Sequence, residues 1–435
     1  MMRNGIIVLL LATAGFSSLF AQPSLTLSLD SAVNYAIAYN KTLMISGLSI
    51  DQADEKVKET IAQGLPQLDA TLDYSNFLGA ETTLRLGSMP DTVPPSIIKF
   101  NPTSNFQFTA SQLVFSGSYI VGLQSVKLYK SLSKTNYEKT QEDITEQVMN
   151  SYYLVLISER NNAIVKKNLE NLKDVFTNTQ SLLEFGVREK TDVDQLRVQV
   201  SMMENQLRSS ERTVEVNYNL LRLQLGVPAQ TQIILTDSLD AILKRADFEA
   251  TLMQDFKIED NIQYQAMNVQ EKISEKQVLL QKMNYLPTIS GFYRYTNKLM
   301  KPEFDISPNS VLGLNMSIPI FSSGKRRAQV SQAKISLETT QTQKDLLAEQ
   351  LRIQEKQSRY NLKNAIDQYN SQKENVDVAK SVYDSYREKY RQGLISSLDL
   401  TNVNNNYLQA QSAYISSLFQ VLQAQTALEK LLSTL

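Results

Sequence analysis

The sequence predicts a mixed α and β fold in which very long helices are joined to a few short strands. From Lys325 to Gln392 the chain has 68 residues without glycine or proline, about six times the length of an average globular helix. Four other segments alternate apolar and polar residues, which is typical of strands with one apolar face. The whole arrangement occurs twice, so the chain contains an internal repeat.

The repeat is clearest at two predicted tips of helical hairpins. At the second tip, a helical seam leads to Gly393, a residue type that can take the left-handed conformation that ends a helix. A shift of 207 positions maps Gly393 and the later Asp399 onto Gly186 and Asp192. The same shift maps the seam residues Val376, Ala379, Tyr383, Tyr386 and Tyr390 onto Leu169, Leu172, Phe176, Thr179 and Leu183.

The composition excludes several kinds of chemistry. The 435 residues include no cysteine and no histidine, which rules out disulfides, thiolate metal sites and catalysis through an imidazole. The 44 basic and 45 acidic residues create no broad positive field for nucleic acid. We therefore expect no enzyme, no cofactor, no metal site and no nucleic-acid partner.

Residues 1–21 have the features of a secretory signal peptide. Arg3 precedes an apolar run over 6–20, and a plausible cleavage site follows Ala21. The mature chain, 22–435, is therefore expected to be exported. No later segment has 18 consecutive apolar residues, so any membrane contact falls to strands or to an amphipathic surface.

The first repeat covers about residues 27–226 and begins with two helices. Asp30 or Ser31 is expected to cap a short amphipathic helix over 32–37, and a more polar helix follows over 40–63. A Gly-Leu-Pro sequence then stops the helical pattern, and the period of the apolar residues changes to two.

Two strands form the first predicted hairpin, 67–116. Residues 68–75 alternate cleanly, whereas 106–114 alternate with one polar interruption, Gln112, on the apolar side. The segment 78–103 contains several prolines and little periodicity, so it is predicted to be an exposed loop.

Long helices follow each hairpin. Residues 117–226 are predicted to form one pair that turns at Gly186, and 324–435 a second pair that turns at Gly393. A continuous helix of 68 residues is about 100 Å long, which favours an extended coiled coil over a compact domain. Residues 229–251 lie between the pairs and are predicted to be a small irregular patch.

The second repeat covers about residues 248–435 and keeps the same order of elements. Its hairpin, 288–321, alternates over 289–296 and again, more regularly, over 312–320. A shorter loop over 299–309 joins these two strands.

The four strands have the length and the one-sided apolar pattern of transmembrane β-strands. Taken alone, they fit a half-buried sheet in a soluble protein equally well. The predicted export and the very long helices favour the membrane. Four strands cannot close a barrel, and lipid does not tolerate an open sheet edge, so several copies of the chain must combine.

Together these features resemble the TolC-type outer-membrane efflux proteins, and the likeness covers nearly the whole mature chain. It rests on the duplication, on Leu-Pro before each hairpin, on Phe-Ser-Gly and Phe-Ser-Ser-Gly after each hairpin, and on the two tips. The resemblance implies a homotrimer. Three chains of four strands then close a transmembrane β-barrel, and their helices form an α-helical coiled-coil barrel in the periplasm.

The resemblance also implies a passive channel in the outer membrane of a Gram-negative bacterium. Such a duct receives its cargo from an inner-membrane transporter through a periplasmic adaptor, in efflux or in type I secretion. The residues leave a second hypothesis open, a secreted or surface coiled-coil structural protein with a small soluble sheet. Extraction distinguishes the two, because only the channel requires detergent.

The strands and their ends carry further candidate residues. Lys325, Arg326 and Arg327 follow the last strand and are candidates to meet the head groups of outer membrane lipid, although a solvated helix start explains them almost as well. A polar lumen is what a water-filled pore requires. The residues expected to face it are Asp69, Thr71, Asp73, Ser75, Gln107, Thr109, Ser111, Ser290, Arg294, Thr296, Asn315 and Ser317.

The tips carry the remaining candidate residues. By resemblance, the adaptor is expected to dock at Gly186, Val187, Gly393 and Leu394.

The resemblance further implies a periplasmic gate, in which the Tyr390 hydroxyl bonds the Asp192 carboxylate. Three copies of Asp399 are expected to meet at the narrow end and favour cations. The alternative role of both aspartates is to cap the helices that follow the tips.

Two positions at the tips depart from the archetype of the family. The archetype has a second aspartate where this chain has Asn402, which we include in the predicted gate. It also has a tip arginine where this chain has Ile395. Arg188 or Lys190 is the candidate to replace that arginine.

Overall fold

The computed structural model describes residues 24–84, 96–302 and 305–434, so the predicted signal peptide lies outside the described residues. The chain forms two compact units, and each unit draws on both sequence repeats. Of the described residues, unit 1 comprises 24–40, 147–247 and 368–422, and unit 2 comprises 41–84, 96–146, 248–302, 305–367 and 423–434.

Helices dominate the described residues. The two longest have 68 and 67 residues, which confirms the prediction of very long helices. Within the described part of the chain, no helix is both long enough and apolar enough to cross a bilayer. The helices are α1 (Leu29–Tyr39), α2 (Lys41–Ala62), α3 (Gly117–Glu184), α4 (Lys190–Leu225), α5 (Leu239–Arg245), α6 (Phe248–Met253), α7 (Ile262–Met283), α8 (Lys325–Arg391) and α9 (Ser397–Leu431).

The described strands have between 4 and 14 residues. They are β1 (Ser24–Leu27), β2 (Gln67–Ser75), β3 (Glu81–Leu84), β4 (Ser96–Lys99), β5 (Thr103–Ser116), β6 (Gln232–Leu235), β7 (Thr288–Met300) and β8 (Ser310–Ser317).

Helix α1 begins three residues before the predicted start, and its cap differs from the prediction. Ser28 is the N-cap: its hydroxyl accepts from the Ser31 amide at 3.3 Å, and the Ser31 hydroxyl accepts from the Ser28 amide at 2.7 Å. The prediction of Asp30 or Ser31 as the cap was therefore wrong. This reciprocal capping box needs a pair three residues apart, and the pair is Ser28 with Ser31.

In unit 1, the N-terminal strand β1 pairs in parallel with β6. The buried Tyr152 donates to the carbonyl of Leu27 at 3.1 Å, and Asp237 accepts from the amide of Leu29 at 2.7 Å. The region predicted as an irregular patch therefore contains a strand. Its partner lies far away along the chain, where a local pattern cannot indicate the pairing.

In unit 2, four strands form one antiparallel sheet in the order β2, β5, β7, β8. β2 and β8 are its edge strands. The sheet joins strands of both repeats, because β5 of the first hairpin pairs with β7 of the second.

The register confirms that the predicted polar residues share one face of this sheet. Asp69 pairs with Thr109, and Thr109 pairs with Arg294, so these three lie in one cross-strand row. The next row, on the opposite face, contains Ala110 and Tyr293. Because side chains alternate along each strand, the other predicted polar residues follow the same assignment.

Two details of the hairpins differ from the prediction. The segment predicted as a loop over 78–103 contains an antiparallel ribbon of β3 and β4. These strands have only four residues each and lie among proline and glycine residues, so the alternation of apolar and polar residues was too short to predict them. The last strand ends at Ser317 and not at Ile320, because Pro319 has no amide hydrogen to donate to a ladder.

Candidate functional site at the helical tips

The two tips of unit 1 have the same backbone conformation. Gly186 and Gly393 both have positive φ, 73° and 75°. In each tip the amide after the glycine donates at 2.9 Å to the carbonyl five residues earlier, and the glycine amide donates to the carbonyl three residues earlier. These are the bonds of a Schellman motif, which places its left-handed residue at the glycine. The repeat inferred from the sequence therefore extends to the backbone of the tips.

Both tips expose apolar side chains. Val187 and Leu394, which were predicted to contact an adaptor, are 67% and 68% exposed. Phe185 beside the first glycine is 82% exposed, and Leu398 in the second tip is 55% exposed. Each tip therefore presents a small apolar surface on a rigid turn.

A cluster of aromatic side chains lies next to the second tip. Tyr383, Tyr390 and Leu400 are buried and pack together with Tyr386 and Tyr407. The rings of Tyr383 and Tyr407 stack with their centres 5.5 Å apart. This packing holds Tyr390 in place between the helices.

The hydroxyl of Tyr390 bonds Thr179 of the first helical hairpin, formed by α3 and α4. It does not bond Asp192, so the predicted pair was wrong. The two hydroxyl oxygens are 2.8 Å apart, and both side chains are buried. Thr179 donates its own proton to the carbonyl of Val175 at 2.8 Å, so Tyr390 is the donor to Thr179.

Side-chain direction explains this partner. Long side chains on a helix point back toward its N-terminus, and for Tyr390 that direction leads away from the tip. Thr179 lies seven positions before Gly186, whereas Asp192 lies six positions beyond it. Burial raises the pKa of Tyr390 above its usual value of 10, so the hydroxyl keeps its proton as a hydrogen-bond donor.

Arg188 of the first tip contacts both the backbone and a side chain of the second tip. Its guanidinium lies 4.5 Å from the centre of the Tyr390 ring. It also donates to the carbonyl of Tyr390 at 3.1 Å and, more weakly, to that of Ile395 at 3.5 Å. Arg188 and Lys190 were the candidates to replace the arginine that the archetype has at the position of Ile395. Arg188 makes the contact between the tips, whereas Lys190 is exposed.

Asp192 forms a second link between the tips. Its carboxylate accepts from the hydroxyl of Ser397 at 2.5 Å, and Ser397 is only 1% exposed. The side-chain oxygen of Gln195 lies 3.1 Å from the same hydroxyl. Helix α4 has Glu189 at its N-cap, without a side-chain cap bond. Asp192 therefore connects two hairpins and does not cap its own helix.

Asp399 occupies the equivalent position in the second tip and does cap its helix. The carboxylate accepts from the amide of Ser396 at 3.1 Å and from its hydroxyl at 2.6 Å, and the Ser396 hydroxyl accepts from the Asp399 amide at 3.2 Å. These bonds hold the pKa of Asp399 below its usual value of 3.8. Asp399 is exposed, as is Asn402 three positions later.

The structure therefore joins some of the predicted gate residues to partners that the sequence did not single out for this role. Thr179 was assigned only to the helical seam, where it matches Tyr386 of the second repeat. Ser397 was not assigned to the gate. We call the five residues that link the hairpins the tip latch: Thr179, Arg188, Asp192, Tyr390 and Ser397.

A family model gives the identity of the chain. The model of the outer membrane efflux protein family matches residues 32–227 and 258–434. The chain belongs to this family. This outer membrane efflux protein therefore belongs with channels of the Gram-negative outer membrane that extend into the periplasm, and the family is not one of enzymes.

Two curated proteins are similar in sequence. The outer membrane protein TolC of Salmonella enteritidis is 23% identical across 98% of this chain and 85% of TolC. The proteases secretion protein PrtF of Dickeya chrysanthemi is 20% identical across 71% of this chain and 67% of PrtF.

Solved structures share the fold. The outer membrane channel CmeC of Campylobacter jejuni aligns with a TM-score of 0.72 at 16% identity, over 93% of this chain and 85% of CmeC. The outer membrane protein VceC of Vibrio cholerae aligns with a TM-score of 0.71 at 14% identity, over 93% of this chain and 95% of VceC. The predicted fold class, long helices combined with the strands of such channels, is confirmed.

Proposed function

We propose that this outer membrane efflux protein is a homotrimeric, passive export duct. The observation that carries the proposal is the sheet of unit 2, which has one apolar face and two unpaired edge strands, β2 and β8. Lipid does not tolerate open edges, so β8 of one copy pairs with β2 of the next. Three copies close a barrel of twelve strands, the number that the family resemblance implies.

In this arrangement the polar face of the sheet lines a water-filled lumen, and the apolar face meets lipid. The hairpins 67–116 and 288–321 lie in the membrane, and the helices 117–226 and 324–435 extend into the periplasm. The signal peptide directs export and is removed. The duct carries out no catalysis.

The tips are the periplasmic end of the duct. Their exposed apolar turns receive a periplasmic adaptor, which connects the duct to an inner-membrane transporter. The tip latch holds this end closed until docking. Because a passive duct selects little, the transporter determines the cargo. Both efflux and secretion fit, because the family is one of efflux proteins and one similar protein is named a proteases secretion protein.

Cysteine cross-linking tests the trimer directly, because the chain has no cysteine of its own. Thr71→Cys in β2 is combined with a series of single cysteines along β8, and membranes are oxidised before denaturing electrophoresis. We expect bands of two and three covalently linked chains for the pairs in register. A cysteine pair between the central strands β5 and β7 is the control, and it must link within one chain.

The competing hypothesis, a coiled-coil structural protein, makes the opposite prediction. Its chains leave the cell envelope with salt or buffer, and no intermolecular link forms between β2 and β8. Either result would overturn the proposed duct.

A further inference from the structure

A groove of about 650 Å³ lies on the sheet of unit 2, between β5, β7 and β8. The small residues Ala110 and Gly291 leave this space, and Tyr293, Leu312 and Leu314 border it on the apolar face. A Cβ atom added at Gly291 meets Leu314 only at 3.6 Å. The volume falls in the range of pockets that hold small molecules, and the lining favours an apolar guest.

An exposed apolar stripe runs from this groove past the end of β8. Leu314 is 77% exposed, and Ile320 and Phe321 are 92% and 85% exposed. Met316 and Ile318 lie between them at 54% and 56% exposure. Because every second residue of a strand points to the same face, Met316 lies on the side of the sheet that carries the groove, and the other exposed apolar residues follow directly after the strand.

Three consecutive cations lie at the end of the stripe, at the start of α8. Arg326 donates to the carbonyl of Pro319 at 3.0 Å, and its guanidinium lies 5.6 Å from the centre of the Tyr285 ring. Lys325 and Arg327 beside it are exposed. Arg326 is therefore held in place, while its neighbours remain free to bind an anion.

The groove, the stripe and the cations have the order of parts of a phospholipid. Leu314 and Pro319 are five residues apart, which corresponds to about 17 Å of extended chain. An acyl chain in the groove therefore places its head group near the cations. Basic residues beside a membrane attract anionic head groups, and their apolar stems lie along the lipid.

We propose that each chain binds one anionic glycerophospholipid of the inner leaflet of the outer membrane. An acyl chain occupies the groove beside Ala110 and Gly291, and the phosphate contacts Lys325, Arg326 and Arg327. This site rests on the proposed function in one respect, because the apolar face of the sheet must meet lipid. The inner leaflet is the source because the cations lie at the helical, periplasmic end of the sheet.

Native mass spectrometry of the full mature protein tests the site. The protein is extracted in mild detergent, stripped of lipid and titrated with phosphatidylglycerol or with the zwitterionic phosphatidylcholine. We expect one tightly bound phosphatidylglycerol per chain and weaker binding of phosphatidylcholine. Replacing Arg326 and Arg327 together by glutamine should weaken phosphatidylglycerol binding by about thirtyfold. Arg352→Gln, which removes a cation further along α8, should leave binding unchanged.

Two further variants fill the groove. Gly291→Ile and Ala110→Leu add apolar volume without changing charge, and isoleucine suits a strand. Each should displace the bound lipid, and the second variant serves if the first does not fold. The site would be overturned if the charge variant and the groove variants retained as much lipid as the parent protein. It would also be overturned if the parent bound phosphatidylglycerol and phosphatidylcholine with equal affinity. Membrane fractionation and trimer mass are measured in parallel. A parent protein that is absent from the membrane fraction, or that is not a trimer, would instead overturn the proposed duct.

Discussion

The guanidinium of Arg188 lies 4.5 Å from the centre of the Tyr390 ring and donates to the Tyr390 carbonyl at 3.1 Å. A single residue of the first tip therefore contacts both the side chain and the backbone of a residue in the second. The carbonyl also accepts from the amide of Gly393 at 3.0 Å and belongs to the last turn of α8, where the helix dipole favours a cation. This contact connects the two helical hairpins at their tips, and in the proposed duct its loss should favour opening.

Arg188→Gln is expected to open the resting channel. The variant loses the hydrogen bond to the Tyr390 carbonyl, worth about 1.5 to 3 kcal/mol for a charged donor, the weaker bond to Ile395, and a cation–π contact worth about 0.5 to 1 kcal/mol. Planar-bilayer recordings should show more frequent opening or higher conductance than the parent. Lys190→Gln removes an exposed cation from the same tip and should behave like the parent. Equal behaviour of both variants would mean that the contact does not hold the gate.

Tyr390→Phe is expected to have a smaller effect than Arg188→Gln. It removes one neutral hydrogen bond, worth about 0.5 to 1.5 kcal/mol, and keeps the ring under Arg188. Thr179→Val should open the channel more than Tyr390→Phe, because it leaves a buried hydroxyl donor without its acceptor. Bilayer recordings of both variants and of the double variant measure this. An additive double variant would contradict a shared hydrogen bond.

Asp192 and Asp399 are expected to respond differently to the same substitution, although they are equivalent in the two repeats. Asp192→Asn weakens the bond to Ser397 between the hairpins and should raise the opening frequency. Asp399→Asn leaves the tip latch intact, and it should lower cation selectivity because it removes three charges from the trimer. Conductance and reversal potential in a salt gradient separate these effects. If both variants open the channel equally, the proposed division of roles is wrong.

The charge of Asp399 is expected to persist in mild acid. Its bonds from Ser396 lower the pKa below 3.8, so the folded state binds this proton less readily than the unfolded chain. The capping stabilisation is therefore present above pH 3.8 and is lost only as the pH falls through the lowered pKa. Cation selectivity, measured as reversal potential against pH, should fall at a lower pH in the parent than in Ser396→Ala. Identical profiles would contradict the role of Ser396.

Gly393 is expected to tolerate asparagine better than valine. Valine in the left-handed conformation costs about 1 to 2 kcal/mol, whereas asparagine adopts it more readily. Space is not the obstacle, since a Cβ at Gly393 meets nothing within 4 Å. Gly393→Val should abolish export in cells with the trimer intact, and Gly393→Asn should retain most of it. Normal export by Gly393→Val would count against docking at this turn.

Much of the architecture could be predicted from local patterns. A run without glycine or proline predicts a helix, and the strand period of two assigns the faces of the sheet that pairs Thr109 with Arg294. The glycine of each tip could be predicted because the left-handed turn restricts the residue type. The strand pair of β1 and β6 could not, since four residues carry little pattern and the partner is remote.

The sequence by itself therefore determined the repeat, the long helices, the two faces of the sheet and the turns at Gly186 and Gly393, because each depends on neighbours along the chain. Only the tertiary structure decided which groups meet between the hairpins. Tyr390 reaches Thr179 because its side chain points back along α8, and Asp192, which makes no cap bond in α4, accepts from Ser397 of the other helical hairpin. Periodicity specifies which face of a helix is buried, but the stagger between two helices selects the partners.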